Sequence, residues 1–292
     1  MEAAQVEKRA TVRGYPRWLT RMRRYPAAFI GILIVVLFIL MTVFGPLLSP
    51  YGYAQQDLEN RLQPPSAQHW FGTDQFGRDI FSRILVGSRD VLTIAGSGTL
   101  LAVLAGLSIG LLSGYFGGIT DETFMRLMDV LLAIPPLLLA MIILATIGPS
   151  RVNVILVVGI LYIPMVARVV RSVVLDIKTR EFIEAAKLRG ESSSYIIFRE
   201  ILPNVLPPLA VEASMRFSYS IFLVASLGFL GLGVQPPSPD WGLMVGDART
   251  WFGQAPWVLL FPAGTIAFLV VGVAFMSDGL RRMLLSGGVS GR

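Results

Sequence analysis

The amino-acid sequence predicts an all-α membrane protein with six transmembrane helices, and three observations support this fold class. Hydrophobic residues make up 54 % of the 292 residues and charged residues only 15 %, whereas charged residues make up about 25 % of a typical soluble domain. The apolar residues fall in long runs, and about 20 apolar residues in a helix span the roughly 30 Å hydrocarbon layer of a bilayer. Basic residues are concentrated in three of the segments that flank these runs.

Six apolar runs are long enough to cross the bilayer: Ala27–Leu48, Val91–Tyr115, Leu127–Ile147, Val152–Val170, Leu209–Leu232 and Trp257–Met276. The first run is too long for the core of a secretion signal and no small-residue cleavage site follows it, so it is predicted to be an uncleaved anchor. Pro164 interrupts the fourth run, but neighbouring helices can satisfy the carbonyl that a proline frees. We divide the chain into residues 1–90, with an N-terminal arm, the first span and an external loop, and a five-helix core at residues 91–292.

The distribution of Arg and Lys predicts that both termini face the cytoplasm. Residues 1–26 contain seven basic residues, residues 168–206 contain another seven, and Arg281, Arg282 and Arg292 follow the sixth span. Cytoplasmic segments of membrane proteins carry an excess of Arg and Lys. With both termini inside, all three groups lie on the cytoplasmic side.

The composition excludes several classes of chemistry. The chain has no cysteine and a single histidine, His69, so disulfides and thiolate metal sites are impossible and a His-based catalytic or metal site is disfavoured. We therefore expect no catalytic and no metal-binding residues. A net charge of +6 could indicate nucleic acid, but the basic residues flank membrane spans, so no nucleic-acid partner is expected.

The external loop at residues 49–90 ends in a stretch rich in polar, glycine and aromatic residues, from His69 to Asp79. An unstructured connection is one interpretation of this stretch. A shaped surface that packs against the next helix or a partner subunit is the interpretation we prefer, and His69 is expected to be a simple loop residue.

The second span carries a stripe of small residues at every fourth position: Gly98, Ala102, Gly106, Gly110 and Gly114. Helices in lipid gain little from hydrophobic burial against each other, so close approach through small residues drives their association. The stripe predicts a helix-packing face, buried either within this chain or against a partner.

The most informative stretch lies on the cytoplasmic side, at about residues 176–206, and is called here the cytoplasmic segment. It predicts two short helices. Gly190 follows the first in a position typical of positive φ, Ser192–Ser194 offer N-cap oxygens for the second, and Pro203 is expected to end it. A helix-turn-helix that reads DNA is disfavoured by the flanking spans and mixed charge. A compact amphipathic knob that docks into a groove of a partner fits better, and a connector lying on the membrane surface is the alternative.

Two charges fall inside a predicted span. Glu212 and Arg216 are one helical turn apart near the cytoplasmic start of the fifth span, at a spacing that permits an ion pair. Charged residues within membrane spans are candidates for function by default. We favour a structural pair, with a pore-lining role as the alternative.

The motif Glu184-Ala185-Ala186-x-x-x-Gly190, continuing to Leu202-Pro203, resembles the EAA loop of ABC importer permeases. Three other stretches resemble the C-type permease of the oligopeptide/dipeptide branch: Phe71–Arg83, Arg126–Pro135 and Leu227–Gly242. Together the four motifs cover nearly the whole chain from the first span onward, in the order of the family. The sequence departs from the family at Glu200, where isoleucine is common, at Leu223-Val224, where a Thr-Glu pair is frequent, and after Leu280, where an Asp-Pro-Arg ending is usual.

The resemblance implies a type I importer permease of the bacterial or archaeal cell (inner) membrane that forms half of a pathway for di- or oligopeptides or related small solutes. Its implied partners are a homologous second permease, two ATPase subunits, an external solute-binding protein and membrane lipid. No cofactor is expected in this chain, since the ATPase subunits of the family bind ATP and Mg. The EAA-loop residues would couple ATP hydrolysis to transport.

Two other functions are compatible with a membrane protein. A self-contained secondary transporter or channel would favour inverted repeats and ion ligands at the midplane, but no repeat is evident. An intramembrane enzyme would need a catalytic constellation that the composition does not offer. Leu285–Val289 resembles an ATPase signature, but the chain contains no Gly-Lys pair for a phosphate-binding loop, so a small-residue tail explains it better.

Overall fold

A computed structural model describes residues 26–286 of the chain. The N-terminal arm at 1–25 and the C-terminal stretch at 287–292, with most of the signature-like sequence Leu285–Val289, lie outside the described residues. The described part is helical apart from its connections: α1 Pro26–Leu48, α2 Ile80–Phe116, α3 Gly118–Leu132, α4 Pro136–Ile147, α5 Arg151–Lys178, α6 Glu181–Leu188, α7 Ser193–Tyr195, α8 Leu202–Phe229, α9 Trp241–Ala248 and α10 Trp257–Ser286.

Four of these helices, α1, α2, α5 and α10, are long and apolar enough to span a membrane, and the bent pair α3–α4 could form a fifth span. The prediction of a membrane-spanning helical bundle is confirmed. The count of six is not reproduced among residues 26–286, because α8 is long enough but is not among the apolar helices. The boundary predicted at residue 90 lies inside α2.

The third predicted span, Leu127–Ile147, is wrong as a single helix. The chain bends by 85° between α3 and α4. Pro135 adopts an extended conformation before Pro136, the first residue of α4. Neither proline has a backbone N–H, and a residue before proline is disfavoured in the helical region, so this pair favours a break in the helix, although α8 continues through Pro207 and Pro208.

Two hydrophobic clusters hold the bundle together. The larger contains buried residues of α1, α2, α5, α8 and α10, together with Trp241 of α9. The smaller lies at one end of the bundle, where Val170 and Val174 of α5 pack with residues of the cytoplasmic segment, among them Ile183 and Ile201. The cytoplasmic segment is therefore anchored on the bundle by its own core.

The prediction that Pro203 ends the second cytoplasmic helix is also wrong. A π-helical turn, Ile196–Ile201, joins α7 directly to α8, and the Leu202 N–H bonds the Ile197 carbonyl. Pro203 lies in the first turn of α8, where a missing N–H is tolerated. Wide π turns interrupt the regular hydrogen-bond ladder, so the helix passes through the proline and α8 starts seven residues before the predicted span.

The external loop is a shaped structure that packs on the start of α2. Asp74 is buried, and its Oδ2 accepts a 2.6 Å bond from Arg78 Nε. Asp79 caps α2 by accepting from the Ser82 N–H at 2.7 Å, and its other oxygen lies 2.9 Å from Nδ1 of His69. The packed interpretation of the loop is confirmed, and His69 links the loop to the cap of α2.

Candidate functional site

The small-residue face of α2 lies against α5. A Cβ atom added at Gly106 would lie 2.6 Å from Cβ of Val166, and Ala102 on the same face is fully buried. Four glycines of α2 meet four valines of α5 in regular order: Gly98 with Val158, Gly106 with Val166, Gly110 with Val170, and Gly114 with Val174. Of the two alternatives for this face, the structure places it within the chain.

The turn of the cytoplasmic segment follows from Gly190. Its φ is +76°, and its N–H bonds the Lys187 carbonyl at 2.9 Å while the Glu191 N–H bonds the Ala186 carbonyl at 3.2 Å. No atom lies within 4 Å of where a Cβ would stand. The positive φ that the sequence predicts is confirmed, and backbone conformation alone demands glycine here. The Ser192 hydroxyl then caps α7 by accepting from the Tyr195 N–H at 3.2 Å.

The two alanines of the EAA motif have different surroundings. Ile183 and Ala186 are fully buried against the cytoplasmic core, whereas Glu184 and Ala185 are exposed. The Glu184 side chain makes no ion pair within residues 26–286. Ala186 is thus small because its own chain packs on it. Of the three Glu-Ala-Ala residues, Glu184 and Ala185 are the two that face outward and can meet a partner.

The exposed surface of the cytoplasmic segment carries several large apolar side chains. Leu188 is 89 % exposed and Phe198 is 64 % exposed, and Phe182 and Tyr195 are also exposed. Apolar side chains that protrude from a rigid, polar-rimmed structure mark an interaction surface. Leu202 is half-buried and Pro203 is exposed, so the last two motif residues lie at the edge of this surface.

The departure from the family at Glu200 has a local partner. Glu200 lies 4.0 Å from Arg189, which also lies 3.5 Å from Glu191. The Arg189–Glu200 contact joins the two arms of the cytoplasmic segment across the turn. A pair this long and this exposed contributes little to stability, so Glu200 is accommodated within the segment.

Glu212 and Arg216 form an ion pair within α8, on a face of the helix that contacts α5. Arg216 Nε lies 2.8 Å from Glu212 Oε1, and both side chains are largely buried. The guanidinium also lies over the rings of Tyr162 at 5.8 Å and Tyr219 at 5.0 Å, and its Nη1 contacts the Met165 sulfur at 2.6 Å. The sequence predicted that the pair lies near the cytoplasmic start of its helix. Because α8 begins at Leu202, the pair instead lies near the middle of the helix.

The other departure in α8 is buried. Leu223 and Val224 are 5 % and 1 % exposed and belong to the main hydrophobic cluster. The Thr-Glu pair of the family is replaced here by apolar residues that pack inside the bundle.

A buried acid lies outside the membrane-spanning segments, in the loop between α8 and α9. Asp240 is 1 % exposed and caps α9 by accepting from the Leu243 N–H at 2.8 Å. Its Oδ2 has no hydrogen-bond partner among the described residues, and Gly228 and Gly233 pack directly against the carboxylate. Burial, with a smaller contribution from the nearby Asp90, raises the pKa of Asp240 to about 6 even though backbone N–H groups hydrogen-bond the carboxylate and oppose the shift.

Sequence reasoning missed this site because an acid in a loop rich in Pro and Gly suggests exposure. The neighbouring Trp241 is fully buried and donates to the Ile84 carbonyl at 3.1 Å. The glycines of Leu227–Gly242 are the sequence feature that could have indicated a buried loop, since they permit its close approach to α8.

Comparisons with known proteins agree on one family. The chain matches the family model of the "Binding-protein-dependent transport system inner membrane component" over residues 106–285 and that of the "N-terminal TM domain of oligopeptide transport permease C" over residues 17–65. It is 44 % identical to the dipeptide transport system permease protein DppC of Alkalihalophilus pseudofirmus, over 90 % of this chain and 87 % of that protein.

Other relatives are named for related solutes. The oligopeptide transport system permease protein OppC of Bacillus subtilis is 38 % identical over 91 % of this chain and 87 % of its own length. A glutathione transport system permease protein GsiD of Escherichia coli is 42 % identical over 90 % of this chain and 88 % of its own length.

A solved structure shares the fold. A chain of the MetNI methionine ABC transporter, in an inward-facing conformation, matches with a TM-score of 0.56 and 21 % identity over 70 % of this chain and 95 % of that one. The architecture is therefore that of an ABC importer permease, as the resemblance implied. The chain belongs to the family of binding-protein-dependent transport system inner membrane components, as a permease subunit related to the C-type peptide permeases.

Proposed function

We propose that this chain forms half of the translocation pathway of an ATP-driven importer for di- or oligopeptides or related small solutes such as glutathione. The names of its relatives support this solute class. The partners that we propose are a homologous second permease, two ABC ATPase subunits on the cytoplasmic side and an external solute-binding protein. ATP and Mg are bound in the ATPase subunits, and this chain performs no hydrolysis.

The observation that carries the proposal is the division of the cytoplasmic segment into a buried and an exposed face. Ile183 and Ala186 anchor α6 to the end of α5, while Glu184, Ala185 and Leu188 project outward. A segment that is rigidly attached to the bundle transmits a displacement, because packed cores shift as units and do not deform continuously. Closure of the ATPases would therefore move α6 and, through α5 and α8, the spans.

The topology that this function requires has both termini and the cytoplasmic segment inside the cell. The basic residues at 168–206 support it. It requires that the bent pair α3–α4 crosses the membrane once between α2 and α5, and this pair is one of the candidate spans. The site of action is the inner membrane of a bacterial or archaeal cell.

The experiment that tests the proposal is copurification. The chain is expressed with the ATPase and second permease subunits of its importer, extracted in detergent and isolated by a tag on this chain. We expect a complex whose ATP hydrolysis rises when the loaded solute-binding protein is added. Isolation of this chain alone, with transport activity in vesicles lacking ATPase subunits, would instead identify a self-contained transporter.

A further inference from the structure

The helix α8 differs from the other long helices in its polarity. It has 28 residues but is not among the apolar helices of the described chain, and it contains Glu212 and Arg216. Arg216 lies fourteen residues after the first residue of α8 and thirteen before the last. It contacts Met165, which lies at the middle of α5, and α5 is apolar enough to span a membrane, so the guanidinium is at the level of the middle of that span. A guanidinium at this depth is costly to expose to hydrocarbon and faces protein or a water-filled path.

The surroundings of Arg216 hold its guanidinium in one orientation. Glu212 faces Nε at 2.8 Å, and the Tyr162 and Tyr219 rings flank the cationic group. Nη1 contacts only the Met165 sulfur, at 2.6 Å, and a thioether is a weak acceptor. Nη2 makes no hydrogen bond to any residue between 26 and 286. Nε is buried and lies close to Glu212, but it makes no hydrogen bond of good geometry, so the guanidinium is only weakly satisfied by the described residues.

The free edge has the geometry for a carboxylate. The two terminal nitrogens of an arginine present parallel N–H donors that match the two oxygens of a carboxylate. The ring of Tyr219 lies 5.0 Å from the guanidinium carbon and is 55 % exposed among the described residues. The Met165 sulfur is a weak acceptor, so a carboxylate would be the stronger partner for this group.

Glu212 limits the strength of such a contact. Its negative charge compensates Arg216, so an arriving carboxylate meets a neutral pair and not an isolated cation. A transport pathway needs a site that binds weakly enough to release its solute. Glu212 acts here as a positioning residue, while Arg216 touches the solute.

We propose that Arg216 receives the C-terminal carboxylate of the transported peptide as it crosses the midplane, with Tyr219 beside it. This assignment rests on the proposed function, since peptides supply the carboxylate. It defines the solute feature that this half of the pathway recognises, namely a free acid.

The test compares peptides with and without that acid. The complete importer is reconstituted in vesicles with its binding protein, and initial uptake is measured for a panel of di- and tripeptides and their C-terminal amides, each at saturating binding protein. The acid-to-amide ratio is compared between permease variants with the same binding protein, so any preference of the binding protein cancels. A hydrogen bond to a charged group contributes more than a bond between neutral groups. Removal of the guanidinium should therefore lower the acid-to-amide ratio about tenfold or more.

The main variant is the double change Glu212→Gln with Arg216→Gln, which leaves no unpaired charge. We expect its acid uptake to fall while its amide uptake stays within about twofold, since only the charge-assisted bond is lost. The matched control is Glu122→Gln with Arg126→Gln, which removes a Glu–Arg pair of the same spacing and order whose side chains are 61 % and 77 % exposed. The control should keep the wild-type ratio.

Arg216→Lys keeps the charge but loses the paired donors, and we expect an intermediate ratio. An unchanged ratio in the double variant or in Arg216→Lys overturns the proposal, and so does failure of both variants to assemble, which would make Arg216 purely structural. If the wild-type importer moves neither acids nor amides, the proposed peptide function fails and this inference fails with it. If every variant takes up both acids and amides with the same acid-to-amide ratio as wild type, this inference is refuted while the proposed peptide function stands.

Discussion

A Cβ atom added at Gly110 would lie 2.6 Å from the Cβ of Val170, closer than side chains pack in proteins. We therefore predict that Gly110→Ala destabilises the contact between α2 and α5 by about 1–3 kcal/mol, and that Gly110→Leu prevents assembly. The measurement is the thermal unfolding temperature of the purified chain and the yield of the complex.

Gly96 offers the control on the same helix. A Cβ there would meet only Phe217, at an ordinary 3.9 Å, so Gly96→Ala should leave stability unchanged or slightly higher, because alanine is the better helix former. Val170→Ala should not restore the stability of Gly110→Ala, because alanine keeps the Cβ at 2.6 Å and the Ala167 carbonyl oxygen stays at 2.7 Å from the added atom. Equal unfolding temperatures for both single variants would contradict the packing role of the glycine stripe.

The topology can be tested cleanly because the chain has no cysteine of its own. We predict that a cysteine at the exposed Ser193 in intact cells escapes an impermeant thiol reagent and reacts only after the membrane is opened. A cysteine at Ala67, exposed in the external loop, should react from outside. Labelling of the Ser193 variant in intact cells would reverse the assignment of the cytoplasmic side.

Asp240 predicts a dependence of stability on pH. Its pKa is raised from 3.8 to about 6, so the folded state favours the protonated acid. The stabilisation is complete below the ordinary pKa near 4 and is lost as the pH rises through 6. Asp240→Asn can still cap α9 and removes the buried charge, so we expect the variant to gain stability relative to wild type at pH 8, by at most about 3 kcal/mol.

At pH 4, near the ordinary pKa, the difference between Asp240→Asn and wild type should be much smaller. Tryptophan fluorescence during heating measures both. Asp247→Asn, an exposed position on the same short helix, is the control and should show no such trend. A gain that is equal at the two pH values would contradict burial of an ionisable acid.

The sequence allowed prediction of those features that depend on local pattern. Long apolar runs predicted the membrane helices α1, α2, α5 and α10, and Gly190 predicted a positive φ. The bend at Pro135 was missed because apolar residues continue on both sides of it, and hydropathy is insensitive to backbone direction. The start of α8 was missed because a proline in the first turn of a helix and a proline that ends one are alike in sequence.

Features that depend on long-range packing could not be predicted from one sequence. The stripe at Gly106 indicated a close helix contact but not its partner, Val166, sixty residues later. The burial of Asp240 requires the approach of two glycines of α8 and its following loop. The position of Arg216 at the middle of α8 followed only when the helix was seen to begin at Leu202.

Coupling depends on the backbone at Gly190. A β-branched residue at φ +76° costs roughly 1–2 kcal/mol, although there is space for a side chain. We predict that Gly190→Val gives an inserted permease that transports poorly or loses its ATPase subunits. Asn tolerates positive φ, so Gly190→Asn should retain more transport. Normal transport by the Val variant, with its ATPase bound, would refute the coupling role of the turn.

The two alanines of the EAA motif separate folding from docking. Ala186 is fully buried and Ala185 is exposed one residue earlier. Ala186→Leu should overpack the cytoplasmic core and reduce the free energy of unfolding by about 1–3 kcal/mol. The unfolding temperature of the isolated chain should therefore fall. Ala185→Leu should leave that temperature unchanged, because its side chain meets solvent. If α6 docks into an ATPase groove, however, Ala185→Leu should weaken copurification of the ATPase and reduce ATP-dependent uptake. Wild-type copurification and uptake with Ala185→Leu would show that this face of α6 does not meet the ATPase, whatever the effect of Ala186→Leu.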